Sequence, residues 1–594
     1  MYRGQGNVKR GIVFERKPEF RTVADLIAER IAAHTDHVFG VGGANIEDLY
    51  DALHRHPGLT GIIAKHEFGA ATMADGYARA TTRLGVVAAT SGGGAMNLLA
   101  ALAESFDSRV PVLALVGQPP TTLEGRGAFQ DASGHPGRLD AERIFTAVSR
   151  HCVKITRPQD ISAELDRAIA AALSGGPAVL LLPKDIQATL ISSGSTLAAG
   201  LRYELTLVGR DEPIANSEET PADIATLLAD VPAGSRVVVI AGPEVAAADA
   251  RAELAEVVRV LDAAVLVTPD AKDAFSNRDD RFAGVVGVMG HPHAAGLVAA
   301  AELCLLVGAP LSMTARAGLD AALAACPRVV YLGAEQPFVP VHAEARGPLG
   351  ASLGELRASL AESAVLPDLP ALPGDTAAAS ESIGVQSNPD APHELTVPPT
   401  FGPGVRYRPA VVAIEAALEP GTDVVADAGN TGAAVVHYLR VPEDGRFLIA
   451  LGMGGMGYSF GAGIGCALGR GRRAVVIAGD GAYFMHGHEV HTAVEYQVPV
   501  TFVVFNNNAH AMCVTREQVF YSGEYSFNRF RAAEIGAGVA AMFPELPAWT
   551  ARTLSDFENA LDKAQATPGP AFIELQCDPD EIPPFAPFLK ESLA

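Results

Sequence analysis

Cysteine, tryptophan, positive charge and long apolar runs are all scarce in this 594-residue chain. The six cysteines, Cys152, Cys304, Cys326, Cys466, Cys513 and Cys577, are scattered with no CxxC pair. That spacing excludes a disulfide framework and a cysteine zinc site, and leaves small buried thiols in a reducing compartment. Lys plus Arg number 45 against 68 Asp plus Glu, a formal charge of −23, which excludes a surface built for nucleic acid. The most apolar runs, 236–242 and 474–479, have the length of strands and fall far short of the ~20 residues that span a bilayer. The first twenty residues are basic with no apolar signal core, so a cytoplasmic enzyme is expected. What is plentiful is ordinary globular material, 48% hydrophobic, which excludes a disordered or fibrous chain.

At about 100–200 residues per domain the length predicts three or more folding units. From Thr22 a helical pattern (TVADLIAERIAAH), a strand (HVFGV) and a Gly-Gly turn begin a series of strand-turn-helix units that runs to Pro183. A second series runs from SRVVVIAG at Ser235 to RVVYLGAE, and a third contains TDVVADAG, RAVVIAGD, VTFVVFNN and AFIELQ. Such alternation predicts an α/β fold of three doubly wound parallel-sheet domains. The expected boundaries are 20–190, 205–361 and 405–594. Residues 362–404, rich in Pro, Ala, Ser and Asp, read as an exposed linker.

In the third series one strand runs into Gly479-Asp480-Gly481 and another ends in Asn506-Asn507-Asn508. Adjacent parallel strands end side by side, so Asp480 and Asn507, 27 positions apart, can converge at one crevice. A carboxylate and an amide oxygen, with a backbone carbonyl and water, suit Mg²⁺ that still has positions for phosphate oxygens. Gly481 and Ala482 open a helix whose free N–H groups favour an anion, and the glycines let the backbone approach it. Taken singly, Gly-Asp-Gly is a tight turn and Asn-Asn a strand end. Together, in order, they point to a cation and a diphosphate.

This pair of motifs resembles the thiamine-diphosphate enzymes, and the wider pattern resembles the acetohydroxyacid (acetolactate) synthase group. The resemblance spans the first and third series well and the middle one weakly. It implies that Asp480, Asn507 and the carbonyl of Ala509 hold Mg²⁺, and that Gly429, Asn430 and Thr431 of DAGNTG hold the diphosphate with Gly479, Gly481, Ala482 and Met512 nearby. Met456, beside Gly454 in GMGGMGYSFGAGIG, would wedge the thiamine into its bent form. A lone Glu at a helix start, such as Glu67 in KHEFGAATMADGYAR, is ordinarily a dipole partner; the resemblance identifies it as the acid that activates the aminopyrimidine. It also implies that Gly93, Gly94 and Asn97 line the cofactor pocket and that Phe129 and Gln130 face the substrate. In the family the first domain of one subunit meets the third of another, so a homodimer or homotetramer is expected.

The chain departs from the pattern at several points. Arg516 stands where the synthases have a Trp that helps select the acceptor. A guanidinium there either favours a carboxylate, phosphate or polyhydroxyl partner or pairs with Glu517 or Glu524. The segment after Gln130 is longer and brings His135 and Arg138, either as acceptor contacts or as a surface loop. His486 and His488 precede Glu489, and His510 follows the metal loop; each can shuttle protons or bond to the diphosphate side. In the middle series Pro310, Leu311 and Ser312 replace a polar run that accompanies FAD, which argues against tight FAD binding.

The expected function is therefore a thiamine-diphosphate- and Mg²⁺-dependent carboligase that decarboxylates a 2-oxo acid, pyruvate first, and adds the product to a second carbonyl compound. Its alternatives are a plain 2-oxo acid decarboxylase, a flavin-linked pyruvate oxidase, or a non-catalytic regulatory paralogue. The departures lean towards an anionic or sugar-like acceptor.

Overall fold

The computed structural model describes residues 20–192, 220–229, 235–362 and 393–589. Three six-stranded sheets, parallel throughout, form three α/β domains. Strands buried on both faces read as near-continuous apolar runs, as Val112–Gln118 (VLALVGQ) and Val500–Asn506 (VTFVVFN) do. The first sheet runs Thr60–Ile63, His37–Gly40, Gly85–Ala89, Val112–Gln118, Pro177–Pro183, His151–Lys154 across its width. The third runs Phe447–Ile449, Asp423–Ala426, Ala474–Gly479, Val500–Asn506, Ala571–Gln576, Ala548–Ala551. Numbered along the chain, both have the order 2-1-3-4-6-5, so they are one topology used twice. The middle sheet, from Phe282–Val285 to Ala343–Arg346, has the order 3-2-1-4-5-6. A two-stranded antiparallel ribbon, Phe20–Thr22 with Leu190–Ser192, ties the two ends of the first domain together.

The third sheet lies between the other two domains. Val475 and Ile477 belong to a core shared with the middle domain, while Ala474, Val476 and Ala478 face a core shared with the first, following the two-residue period of a strand. Between first and third domains two helices run against each other, Glu67–Thr81 and Tyr458–Arg470. Gly461, Gly465 and Gly469, one turn apart, make this possible. A Cβ on Gly465 would lie 1.9 Å from the carbonyl oxygen of Met73, and one on Gly76 would lie 2.3 Å from that of Ala462. The helices therefore touch backbone to backbone.

Two expectations need correction. The helix expected to open at Gly481 and Ala482 is short: Asp480–His486 is followed by a 3₁₀ turn, Gly487–Glu489, and then a second helix, Val490–Glu495. The break turns Glu489 inward, where the first domain supplies it with hydrogen bonds. Of the segment 362–404, read as an exposed linker, residues 363–392 lie outside the described residues. Its end is docked: Leu395 is buried and its N–H donates to Nε2 of His437, 3.0 Å away. All six cysteines are free thiols. Among the described residues no helix is long and apolar enough to cross a membrane.

Candidate functional site

In the third sheet the order reverses between Asp423–Ala426 and Ala474–Gly479, and the crevice beyond their carboxyl ends is the place where such sheets take ligands. Both strands lead into helices, the first across Asp427, Ala428 and Gly429 and the second without a break. Gly429, with φ +104°, caps the helix Asn430–Tyr438, and Gly479 caps Asp480–His486. Thr431 Oγ1 is the atom nearest to where a Cβ on Gly479 would lie, at 3.8 Å, so the two turns face each other. The nine-residue helix Asn430–Tyr438 brings its free N–H groups to this crevice.

The next strand brings Asn507 alongside. The N–H of Ala509 donates both to Oδ2 of Asp480 at 3.2 Å and to Oδ1 of Asn507 at 3.1 Å. Two side-chain oxygens from two strand ends thus converge on one point. Asn508, in the left-handed region at φ +54°, makes the reversal that turns Ala509 back towards them. The Asn507 amide is oriented from behind, because its Nδ2 donates to the Tyr407 hydroxyl at 3.3 Å. Asp480 is 1% exposed, and burial pushes its carboxyl up to about 7 despite the N–H groups of Gly481 and Ala509. His510 lies over this turn: a Cβ on Gly481 would meet its ring at 2.7 Å.

Two features suit a ligand at this crevice. Oδ1 of Asn430 is buried with no donor among the described residues, while its Nδ2 donates to Thr515 at 3.2 Å. Gly429, Gly454, Gly455 and Gly93 have nothing within 4 Å of where a Cβ would stand. A carboxylate, an amide oxygen and open glycine turns suit a hard cation and a diphosphate. Among the described residues no group of three His, Cys, Asp or Glu side chains could hold a metal ion, which is expected of a site built on one Asp, one Asn and backbone.

Glu67 is the first residue of its helix, half-buried, and its Oε2 accepts from the Asn97 amide at 2.9 Å. Its Oε1 stands 2.8 Å from where a Cβ on Gly94 would be, so only glycine fits beside it. Gln130, at φ +58°, accepts at Oε1 from Ser91 at 3.3 Å and Thr90 at 3.4 Å. Phe129 is exposed. The structure thus gathers Glu67, Gly93, Asn97 and Gln130 beyond the carboxyl ends of one sheet's strands, and Asp480, Asn507, Ala509, Gly429, Asn430 and Thr431 beyond those of another. Among the described residues no hydrogen bond joins the two groups. Met456 is half-buried beside the core shared by the first and third domains, and Met512 is half-buried on the helix Ala511–Phe520.

Other expectations resolve differently. Arg516 is exposed and has no ion pair with Glu517 or Glu524; Glu517 is buried and accepts from Asn528 instead. His486 stacks on Phe68 at 4.1 Å and is pushed down to about 4 by burial, with His66 beside it, so it packs between domains. His488 is exposed. Arg138 sits beside Asp131 at 3.7 Å and His135 against Gly125, within their own loop. Sequence reasoning missed the buried carboxylates that hold the turns. Asp427 accepts from the N–H groups of Gly457 and Ser459, both at 2.9 Å. Glu104 and Glu489 serve others. Asp427 begins the DAGNTG run, a strand-end signal that could have singled it out. Nothing local marks Glu104 or Glu489.

Three family models match: the thiamine pyrophosphate enzyme N-terminal TPP binding domain over residues 21–135, the central domain over 224–336 and the C-terminal TPP binding domain over 427–575. A probable acetolactate synthase large subunit from Methanococcus aeolicus is 24% identical, with 93% of this chain and 92% of that protein covered. The acetolactate synthase large subunit of Corynebacterium glutamicum is 27% identical, over 86% of this chain and 79% of its own. Among solved structures, a thiamine diphosphate-dependent 4-hydroxybenzoylformate decarboxylase from Rhodococcus jostii has a TM-score of 0.72 at 21% identity, covering 94% of this chain and 99% of that one.

Proposed function

The chain belongs to the thiamine-diphosphate-dependent enzymes of the acetolactate synthase family, as a divergent member, and from that premise we propose that it is a Mg²⁺-dependent carboligase. Its donor would be a 2-oxo acid, pyruvate first, and its acceptor a second carbonyl compound. The observation that carries the metal assignment is the convergence of Asp480 Oδ2 and Asn507 Oδ1 on the N–H of Ala509. Those oxygens, with the Ala509 carbonyl, would hold Mg²⁺; the Gly429–Thr431 and Gly479–Ala482 turns would hold the diphosphate.

When bound, thiamine diphosphate supplies the carbon nucleophile and the electron sink that decarboxylation needs. The chain supplies the rest. Asn97 occupies Oε2 of Glu67, which leaves Oε1 to hold a proton at the cofactor's ring nitrogen. Met456 would pack against the cofactor, and Gln130, its Oε1 already engaged, would present Nε2 to the substrate. The resemblance to the synthase family, in which the first domain of one subunit meets the third of another, supports a working site at the boundary between two subunits of a homodimer or homotetramer. Arg516, exposed and without an ion pair among the described residues on the helix that follows the metal loop, supports an anionic or polyhydroxyl acceptor. FAD has no place in this reading, since Pro310, Leu311 and Ser312 offer it no polar run; a yellow purified protein would overturn that point.

The test is to incubate the pure protein with thiamine diphosphate, Mg²⁺ and pyruvate, with and without a panel of carbonyl acceptors, and to identify the products. A new carbon–carbon bond to an acceptor is expected. Free aldehyde alone would assign a decarboxylase, acetolactate alone would remove the specialised acceptor, and no carbon dioxide from any 2-oxo acid would refute the reading.

A further inference from the structure

Two buried glutamates cross the boundary between the first and third domains in opposite directions. Glu104, on the first-domain helix Leu99–Asp107, is 4% exposed. Its Oε2 accepts from Met453 N–H at 2.6 Å and Gly454 N–H at 3.3 Å, and its Oε1 from Gly452 N–H at 3.3 Å. Three successive backbone donors of the loop leading to Met456 therefore close on one carboxylate. Glu489, in the third domain, is 1% exposed. Its Oε1 accepts from the N–H groups of Lys65 at 3.0 Å and His66 at 2.9 Å, in the turn leading to Glu67, and its Oε2 from the Thr492 hydroxyl at 2.8 Å.

We propose that Glu104 and Glu489 are reciprocal positioning residues, each fixing the turn by which the other domain presents a reactive-site residue, Met456 in one case and Glu67 in the other. The proposal deepens the assignment of Glu67 and Met456 above and rests on it. Several observations support it. The 452–455 loop contains three glycines and is exposed, so without an external anchor its backbone has wide freedom. The anchor is itself rigid, since Glu104 Oε1 also accepts from Ser108 at 2.8 Å and from Arg79 at 3.2 Å. Arg79 bonds Asp75 at 2.6 Å, and Asp75 takes the Tyr458 hydroxyl at 2.5 Å. On the other side Glu489 fits only because residue 69 is glycine; a Cβ there would lie 2.2 Å from its Oε1. Domain docking alone does not call for buried carboxylates, because apolar residues of similar volume generally serve as well or better. Carboxylates add direction, several N–H groups aimed at one pair of oxygens.

The test uses the full chain carrying Glu489→Ala, Glu489→Gln, Glu104→Ala or Glu104→Gln. Amide hydrogen exchange of the cofactor-free protein should rise in a crossed pattern. Glu489→Ala should speed exchange at residues 65–66, and Glu104→Ala at 452–454, each on the order of tenfold or more. The mutated residue's own helix should keep its protection. Thiamine diphosphate affinity, by equilibrium dialysis, should fall in both Ala variants and recover in part in the Gln variants, which retain one acceptor. For Glu489→Ala, kcat with the 2-oxo acid should fall while KM holds. Faster exchange confined to the mutated residue's own domain, a uniform loss of protection, or cofactor affinity equal to the parent's would overturn the proposal. Exchange and dialysis need no substrate, so a chain that shows the crossed pattern yet converts no 2-oxo acid would refute the assigned reaction and leave the clamp standing.

Discussion

Replacing Gly465 by Ala tests whether the two helices that begin at Glu67 and Tyr458 must touch. The new Cβ would lie 1.9 Å from the Met73 carbonyl oxygen and 2.7 Å from its carbon, where real Cβ atoms keep at least 3.0 Å. The obstruction is backbone in a buried helix, so the helices must part by about 1 Å through close-packed surroundings. Overpacking of this kind costs about 1–3 kcal/mol, and a backbone clash belongs at the upper end. Alanine's better helix propensity returns about 1 kcal/mol. The net loss is about 2 kcal/mol, roughly a thirtyfold shift in the equilibrium between docked and separated helices. Gly538→Ala is the control. It lies in the helix Ile535–Met542 with nothing within 4 Å of a new Cβ and should stabilise by about 0.5–1 kcal/mol. A three-domain chain need not unfold in one step, so the assay is amide exchange along residues 67–81 and 458–470, with thermal melting as a second measure. Gly465→Ala should lose protection in both helices and bind thiamine diphosphate more weakly. Parent-like exchange and affinity in Gly465→Ala, with Gly538→Ala behaving as expected, would refute the argument.

Glu67→Gln should lower turnover by about 10²–10⁴ while equilibrium dialysis shows cofactor binding mostly retained; an active variant would mean another group is the activating acid. A chelator should release thiamine diphosphate and Mg²⁺ restore it, whereas Asp480→Ala should not respond to Mg²⁺; retention of cofactor in chelator would refute the donor set. Arg516→Trp should move the product ratio towards acetolactate, read by product analysis with mixed acceptors, and an unchanged ratio would remove Arg516 from acceptor choice. His437 donates from Nδ1 to Met289 O and accepts at Nε2 from Leu395, both at 3.0 Å, so a second ring proton must expel Leu395. Burial, with Lys272 adding to it, lowers this imidazole to about 4. Between about 6.5 and 4 the unfolded chain binds the proton and the folded one does not, so stability falls as pH drops through that window, by about 3 kcal/mol. His437→Gln should flatten the acid limb of a melting-temperature profile; an unchanged limb would refute the linkage.

The alternation of strand and helix, the turns Gly479–Gly481 and Asn506–Asn508, and the nearness of Asp480 to Asn507 were all determined by the sequence itself. Local turn chemistry and a parallel crossover leave the ends of neighbouring strands little choice but to lie together. Glu67 was visible as a helix-opening acid, but its role came from resemblance, because one carboxylate at a helix start has many uses. Only the tertiary structure decided what holds these groups. Glu104 and Glu489 act on backbone N–H groups more than three hundred positions away, and backbone donors look alike in every sequence. The glycine stripe 461–465–469 acquires meaning only when another helix lies against it. The break at Gly487, the docking of Leu395 on His437 and the shared strand order of the first and third sheets arise in the same way, from contacts between segments whose sequences carry no record of one another.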